Sequence, residues 1–404
     1  MPDHQIIAGF LPLLDSAILV AAREKGFAEG EGVDLSLVRE TSWANIRDRM
    51  AVGHFHAAQM LAPMPIASNL GLTPLAVPLA APMVLGLGGN AITVSNALWA
   101  RMAEAGATPD LDPASTGKAL KSIIAERAST GEARLRFAVV HPHSGHNYEL
   151  RYWLAACGID PDEDVEILIA PPPLLPDAMS NGRIDGFCVG EPWNTVAVRA
   201  GSGRIATVKA RIWRSSPEKV LALHADWMGE NEAATHALLR ALYRAAAWCG
   251  ASWNHQELAE ILAREDYLGV SPQAIMPALG GQLGLGGGEI AEVRDFFVPF
   301  ASAATFPWKS HALWFYSQMV RWGQCSFSKD HLETVESSFR PDIYRAALGP
   351  IGAAIPAADS KVEGARIHAG AIETDAGKLQ VLADGFFDGE TFDPGAIEDY
   401  LARP

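Results

Sequence analysis

No stretch of the 404-residue chain approaches the roughly 20 consecutive apolar residues that a helix needs to cross a bilayer, so no membrane span is expected. Basic residues are scarce: 32 Lys and Arg stand against 47 Asp and Glu, a formal net charge of −15. That balance excludes direct contact with nucleic acid or with an anionic membrane, both of which require clustered Lys and Arg. Only four cysteines occur, Cys157, Cys188, Cys249 and Cys325, far apart and without a Cys-x-x-Cys pair, so reduced, packed thiols are expected rather than a zinc site or disulfides. The chain starts Met-Pro-Asp-His and enters an apolar segment at Ile6, without a basic n-region, an apolar h-region or a small-residue cleavage site, and a cytoplasmic location is the expectation.

Signatures of catalysis and cofactor binding are equally sparse. There is no Gly-x-Ser-x-Gly elbow, and no Cys-His pair has local support for covalent chemistry. The glycines within 85–90 and 284–288 lack the strand, spacing and following helix of a dinucleotide fingerprint, and Ser115-Thr116-Gly117-Lys118 resembles the end of a Walker loop without its upstream glycine. His141, His143 and His146 crowd one segment, but a metal site needs converging ligands of the right type, and the segment alone does not supply such a set. Neither a metal nor a cofactor is expected.

What is present describes a globular protein: 49% hydrophobic residues, 20% charged residues and a mean hydropathy of +0.07. A chain of this length exceeds one ordinary core, since single cores stop growing near 250 to 300 residues. Strand-like Ile6–Phe10, helical Ala17–Glu24 and strand-like Val33–Val38 form a βαβ opening, which implies a parallel sheet. Short strands follow at 56–60, 84–87 and 92–94. The pattern restarts with a strand at 135–140, a helix at 148–156 ending before Gly158, a strand at 165–169, a helix at 175–180 and a strand at 184–189. Strands at 205–208 and 220–223 read as a return to the first unit, and the chain from Glu232 onward as chiefly helical. The expected architecture is α/β with two lobes, 1–96 plus 205–404 (lobe I with a mostly helical C-terminal extension) and 97–204 (lobe II). Two crossovers place a cleft between the lobes, a preferred position for a ligand.

Phe187 to Lys219 is the most informative run, because a tight Gly-Glu-Pro-Trp turn and a lone lysine at the start of a strand are parts of a small-anion pocket. Five groups at strand ends and turns could serve a planar oxyanion: the Trp43 indole N–H, the Asn90 amide, the His146 imidazole, the Gly190 backbone N–H and the Lys219 ammonium. Each also has an ordinary explanation. Trp43 suits a core aromatic, Asn90 and Gly190 turn residues, His146 a helix start and Lys219 a solvated surface lysine.

Several segments together resemble the nitrate-binding proteins of bacterial nitrate and bicarbonate ABC importers. They are Gly-Phe-Leu-Pro-Leu-Leu-Asp-Ser-Ala at 9–17, Glu-Lys-Gly-Phe at 24–27, Thr-Ser-Trp-Ala-Asn-Ile-Arg-Asp at 41–48, Ala-Pro-Met-Pro at 62–65, Ile-Thr-Val-Ser-Asn at 92–96, Arg-Tyr-Trp-Leu-Ala-Ala at 151–156, Gly-Ile-Asp-Pro-Asp at 158–162, Pro-Pro-Pro at 171–173, Phe-Cys-Val-Gly-Glu-Pro-Trp at 187–193 and Pro-Glu-Lys at 217–219. The resemblance runs from about residue 7 to about residue 260. It implies a type II periplasmic-binding-protein fold, with nitrate or nitrite held between the lobes by Trp43, Asn90, His146, Gly190 and Lys219. Nitrate-binding members usually carry glutamine where this chain has Asn90. Bicarbonate-binding relatives place an acid at the position of Lys219 and recruit calcium to it; a lysine there implies a monovalent oxyanion and no metal. With the expected cytoplasmic location, the resemblance is greatest to NasS-type nitrate and nitrite sensors, which act on an RNA-binding antiterminator of the NasT type. The alternatives are a nitrate importer's substrate-binding subunit and an enzyme on the same fold, of the pyrimidine-synthase kind.

Overall fold

The computed structural model describes residues 4–374 and 376–403. Strands β1 (His4–Phe10), β2 (Val33–Arg39), β3 (Ala57–Leu61) and β4 (Leu79–Val84) come first in the chain. A short β5 (Leu87–Gly88) leads to β6 (Asn90–Ser95), β7 (Leu135–Val139), β8 (Val165–Ile169), β9 (Gly186–Gly190) and β10 (Gly203–Val208), and β11 (Lys219–His224) closes the α/β part. Sheet one has the order β2-β1-β3-β11-β4 and sheet two the order β10-β6-β9-β7-β8. In sheet one β1 runs parallel to β2 and β3, while β11 is antiparallel to β3 and β4. Sheet two repeats the scheme, with β7 parallel to β8 and β9 and with β6 antiparallel to β9 and β10. The two α/β lobes expected from the sequence are therefore built on one plan.

Their limits differ from the expectation. Both β6 and β10 belong to sheet two, so the chain changes lobes between Val84 and Asn90 and again between Val208 and Lys219. The strand at 205–208 thus does not return to the first unit; an apolar strand buried on both faces carries no mark of which sheet it joins. The strand expected at 84–87 lies instead at Leu79–Val84, where Pro82 obscured it. Proline is tolerated there because β4 is an edge strand, and its register against β11 shifts between Leu221 and Leu223.

The C-terminal region is not only helical. It adds the hairpin of β12 (Gln282–Gly286) and β13 (Glu289–Glu292), β14 (Phe297–Val298), and the hairpin of β15 (Gly370–Thr374) and β16 (Gly377–Val381). Its helix Glu232–Gly250 packs on helix Ala17–Glu24 of lobe I, and its helix Lys309–Arg321 touches both Pro63–Asn69 of lobe I and Gly145–Ala156 of lobe II. The extension also straps both crossings. In the first, β14 pairs with β5, and Gly89 N donates to Phe296 O at 2.6 Å. In the second, Arg214 N donates to Gly385 O at 3.1 Å and Phe387 N to Ile212 O at 3.0 Å, with the Trp213 and Phe386 rings stacked at 4.9 Å.

Candidate functional site: a buried charge cluster between the lobes

The crevice lies where the parallel strands end and the antiparallel strands begin, the usual ligand position in open α/β sheets. Asp15 follows β1, Trp43 follows β2, His146 and Glu149 follow β7, Gly190 ends β9, and Asn90 and Lys219 open β6 and β11. Local sequence fixes these placements. Ser42 caps helix Trp43–Ala51 by accepting from Asn45 N at 3.2 Å, and Ser144 caps helix Gly145–Ala156 by accepting from Asn147 N at 3.0 Å. The caps hold Trp43 and His146 in the first turn of their helices, whose N-terminal ends favour negative charge. The lobes meet over the crevice: Leu14 N donates to Glu191 O at 2.8 Å, and Trp193 Nε1 donates to Pro12 O at 3.1 Å.

All five residues singled out from the sequence are buried, and one network links them. Asn90 and Gly190 are register partners. A Cβ on Gly190 would stand 3.3 Å from Asn90 Oδ1 and 3.6 Å from Asp15 Oδ2, so any side chain there would press on the Asn90 amide. Lys219 Nζ lies 5.5 Å from the centre of the Trp43 ring and 2.9 Å from Asp15 Oδ2. His146 Nδ1 is 3.4 Å from Glu218 Oε1, but neither ring nitrogen makes a hydrogen bond. Trp43 Nε1 and Asn90 Oδ1 also have no partner. Buried polar groups are almost always hydrogen-bonded, so several orphans gathered in one crevice mark a place for a small polar ligand.

Lys219 does not face neutral donors alone. Asp15 and Glu218 flank it, each at 2.9 Å. A second lysine, Lys209, binds Glu149 Oε1, Glu218 Oε2 at 2.7 Å and Pro217 O at 2.8 Å. Gln59 joins β3 to the cluster by donating to Asp15 Oδ1 and accepting from Leu11 N at 2.8 Å. Three carboxylates and two ammonium groups thus share a buried volume. Residue type gave no notice of Asp15, Gln59, Glu149, Lys209 or Glu218. A signal did exist for Asp15, a lone charge inside the apolar run from Phe10 to Ala22, and such charges are buried only when paired.

Burial drives the imidazole of His146 down to about 3, so it is neutral at pH 7. Burial works against the charges of Lys209 and Lys219, but the facing carboxylates outweigh it and raise both. Burial also pushes Glu218 up, and its cationic neighbours override this and hold it well below the usual range; with His146 neutral, the two lysines do so. Burial raises Asp15, and it carries Glu149 up to about 7.

Among the described residues no three His, Cys, Asp or Glu side chains converge on a metal position. His143, from the histidine-rich segment, instead pairs its Nδ1 with Gln324 Oε1 at 3.0 Å. A cavity of about 900 Å³ opens nearby between Thr41 and Ser42, Pro171, Pro173 and Leu174, and Glu265 to Tyr267, but none of the five residues lines it. The unpartnered polar groups and the buried charges lie in the crevice, not in this wider opening.

The model described as the NMT1-like family matches residues 1–263. The chain belongs to the NMT1-like family. Within that family its relatives are of the NrtA/CmpA kind. The nitrate/nitrite binding protein NrtA of Synechococcus elongatus is 36% identical over 98% of this chain and 85% of its own length. The bicarbonate-binding protein CmpA of the same organism is 30% identical over 97% of this chain and 85% of its own length. The chain spans about half the length of the nitrate import ATP-binding protein NrtC of Synechocystis, with 37% identity over 85% of this chain and 50% of that protein. Among solved structures, the periplasmic nitrate-binding protein NrtA from Synechocystis PCC 6803 superposes with a TM-score of 0.85 at 28% identity, covering 98% of this chain and 97% of that one. The alkanesulfonate-binding protein SsuA of Xanthomonas axonopodis pv. citri, at a TM-score of 0.55 and 14% identity over 78% and 93% of the two chains, shares the fold alone. This NMT1-like chain has the two-lobed periplasmic-binding-protein-like fold, and its kin NrtA and CmpA are binding proteins.

Proposed function

We propose that this protein binds nitrate or nitrite between its lobes, with Trp43, Asn90, His146, Gly190 and Lys219 as the ligand-binding residues. The observation that carries this reading is the set of unpartnered buried groups, Trp43 Nε1 and both nitrogens of His146, in the same crevice as the Lys219 ammonium. Such a site suits a small, flat, singly charged oxyanion: the indole N–H and the single N–H of the neutral imidazole meet its oxygens, and an ammonium meets its charge. Full burial requires the lobes to part for entry and to close on the ligand. Calorimetric titration with nitrate, nitrite and bicarbonate tests the reading; saturable binding of nitrate or nitrite is expected, and a protein that binds bicarbonate alone would overturn it.

At a finer level, we propose a cytoplasmic sensor that holds an RNA-binding antiterminator of the NasT type when ligand-free and releases it as the anion closes the lobes. An acidic chain, at −15, favours acting on RNA only through such a partner. The anion can shift partner binding only by its differential affinity for the two lobe arrangements. The import-system names of its relatives favour a second reading, the substrate-binding subunit of a nitrate importer. Mixing the protein with the antiterminator from its own genome separates the two. A complex that nitrate dissolves in gel filtration supports the sensor, whereas no complex, together with loss of nitrate uptake on deletion, supports the importer.

A further inference from the structure

The orientation of Asn90 conflicts with its proposed task. Its Nδ2 donates to Glu149 Oε2 at 3.3 Å, which leaves Oδ1 as the unpartnered atom on the Gly190 side of the crevice. An oxygen lone pair presented there repels an anion. The donor that an anion needs is engaged by an ionised carboxylate behind it.

Resting on the anion-receptor reading, we propose that each nitrate carries one proton into the site, held on Glu149 Oε2 and donated to Asn90 Oδ1, so that Asn90 turns its amide Nδ2 towards the anion. The proton comes from solvent. Glu149 Oε1 continues to accept from Lys209, and no other hydrogen bond of the cluster has to break. The charge balance points the same way. With Glu149 ionised, Asp15, Glu149 and Glu218 against Lys209 and Lys219 sum to −1, and a bound anion without a proton would take this buried volume to −2. One proton leaves the sum where it stood.

Glu149 is the group placed to accept it. It faces Lys209 and Glu218 from the second crossing, Asn90 from β6, His146 from its own helix and the Cys188 thiol from β9. Burial brings it to about 7, whereas Glu218, gripped by both lysines, is held well below the carboxylate range. Glu149 thus sets the affinity without touching the anion, as a positioning residue for Asn90.

Titration calorimetry of the full chain with nitrate at pH 8, in phosphate and in Tris, reads the proton directly, because the two buffers differ in ionisation enthalpy. We expect uptake of about one proton per nitrate and an affinity that falls about tenfold from pH 8 to pH 9. Glu149→Gln keeps a donor beside Asn90 Oδ1, so its nitrate enthalpy should be independent of buffer and its affinity at pH 9 should exceed that of the parent. If that variant does not fold, a carboxylic-acid carbonyl band gained in the nitrate-minus-free infrared difference spectrum of the parent protein makes the assignment. Nitrate binding without proton uptake, uptake unchanged in Glu149→Gln, or no carboxylic-acid band each overturns the inference and leaves the receptor reading intact. Absence of nitrate binding at every pH overturns both.

Discussion

At Lys219 one side chain neutralises Asp15 and Glu218, and in the proposed site it would also offer its charge to the ligand. Lys219→Ala should therefore abolish nitrate binding and also destabilise the fold by about 3 to 5 kcal/mol, the cost of leaving buried carboxylates unpaired. Calorimetry and urea titration read the two effects separately. Trp43→Phe is the gentler test: the ring and its packing remain and only the unpartnered Nε1 donor is lost. Nitrate affinity should fall about fivefold, equivalent to ~1 kcal/mol, with little change in urea midpoint. The donors were legible in the sequence because indole, amide, imidazole and ammonium announce what they can do. Their acidic counterparts were not, because Glu149 or Glu218 in a sequence looks like any solvated acid, and only the fold shows that water cannot reach it.

For the secondary-structure elements, local chemistry decides how firmly the site is held. Ser144→Ala removes the cap of the helix that carries His146 and Glu149, and should cost about 1 kcal/mol of stability together with a measurable loss of nitrate affinity. Thermal unfolding and calorimetry check the pair. Gly88 tests the strap on the first crossing. Its φ is +75°, and a Cβ would sit 2.2 Å from Phe296 O, so Gly88→Ala should detach β14 from β5 while the two main sheets persist. Faster amide exchange confined to 85–89 and 296–298 is the expected signature. Alternating and apolar segments revealed most strands of both sheets, whereas Pro82 hid an edge strand and the near-complete burial of β6 and β10 on both faces hid their partners. Periodicity reports burial; it does not report which neighbour provides it.

Across the whole molecule, the extension adds a second buried polar cluster, set against the two crossings. Glu363 accepts from Ser310 Oγ at 2.6 Å and pairs with Lys361, which also binds Asp384 at 2.8 Å. Burial pushes Glu363 up, but Lys361 and His311 outweigh it and bring it down to about 2. A depressed carboxylate stabilises the fold above its unfolded value near 4.5 and loses that contribution as pH falls towards about 2. Glu363→Gln should therefore lower the urea midpoint at pH 7, and the gap from the parent protein should narrow as pH falls below about 4.5. The two-lobe division was legible from the restart of the βαβ pattern, but the embrace by the extension was not, because its contacts join residues hundreds of positions apart. That embrace bears on motion. With Leu87–Gly88 tied to Phe297–Val298, and Ile212–Arg214 tied to Gly385–Phe387, neither crossing is a free swivel. Opening has to drag the extension from Glu232 onward along or peel it away, so ligand exchange should be slow and the change in radius of gyration between filled and unfilled protein small.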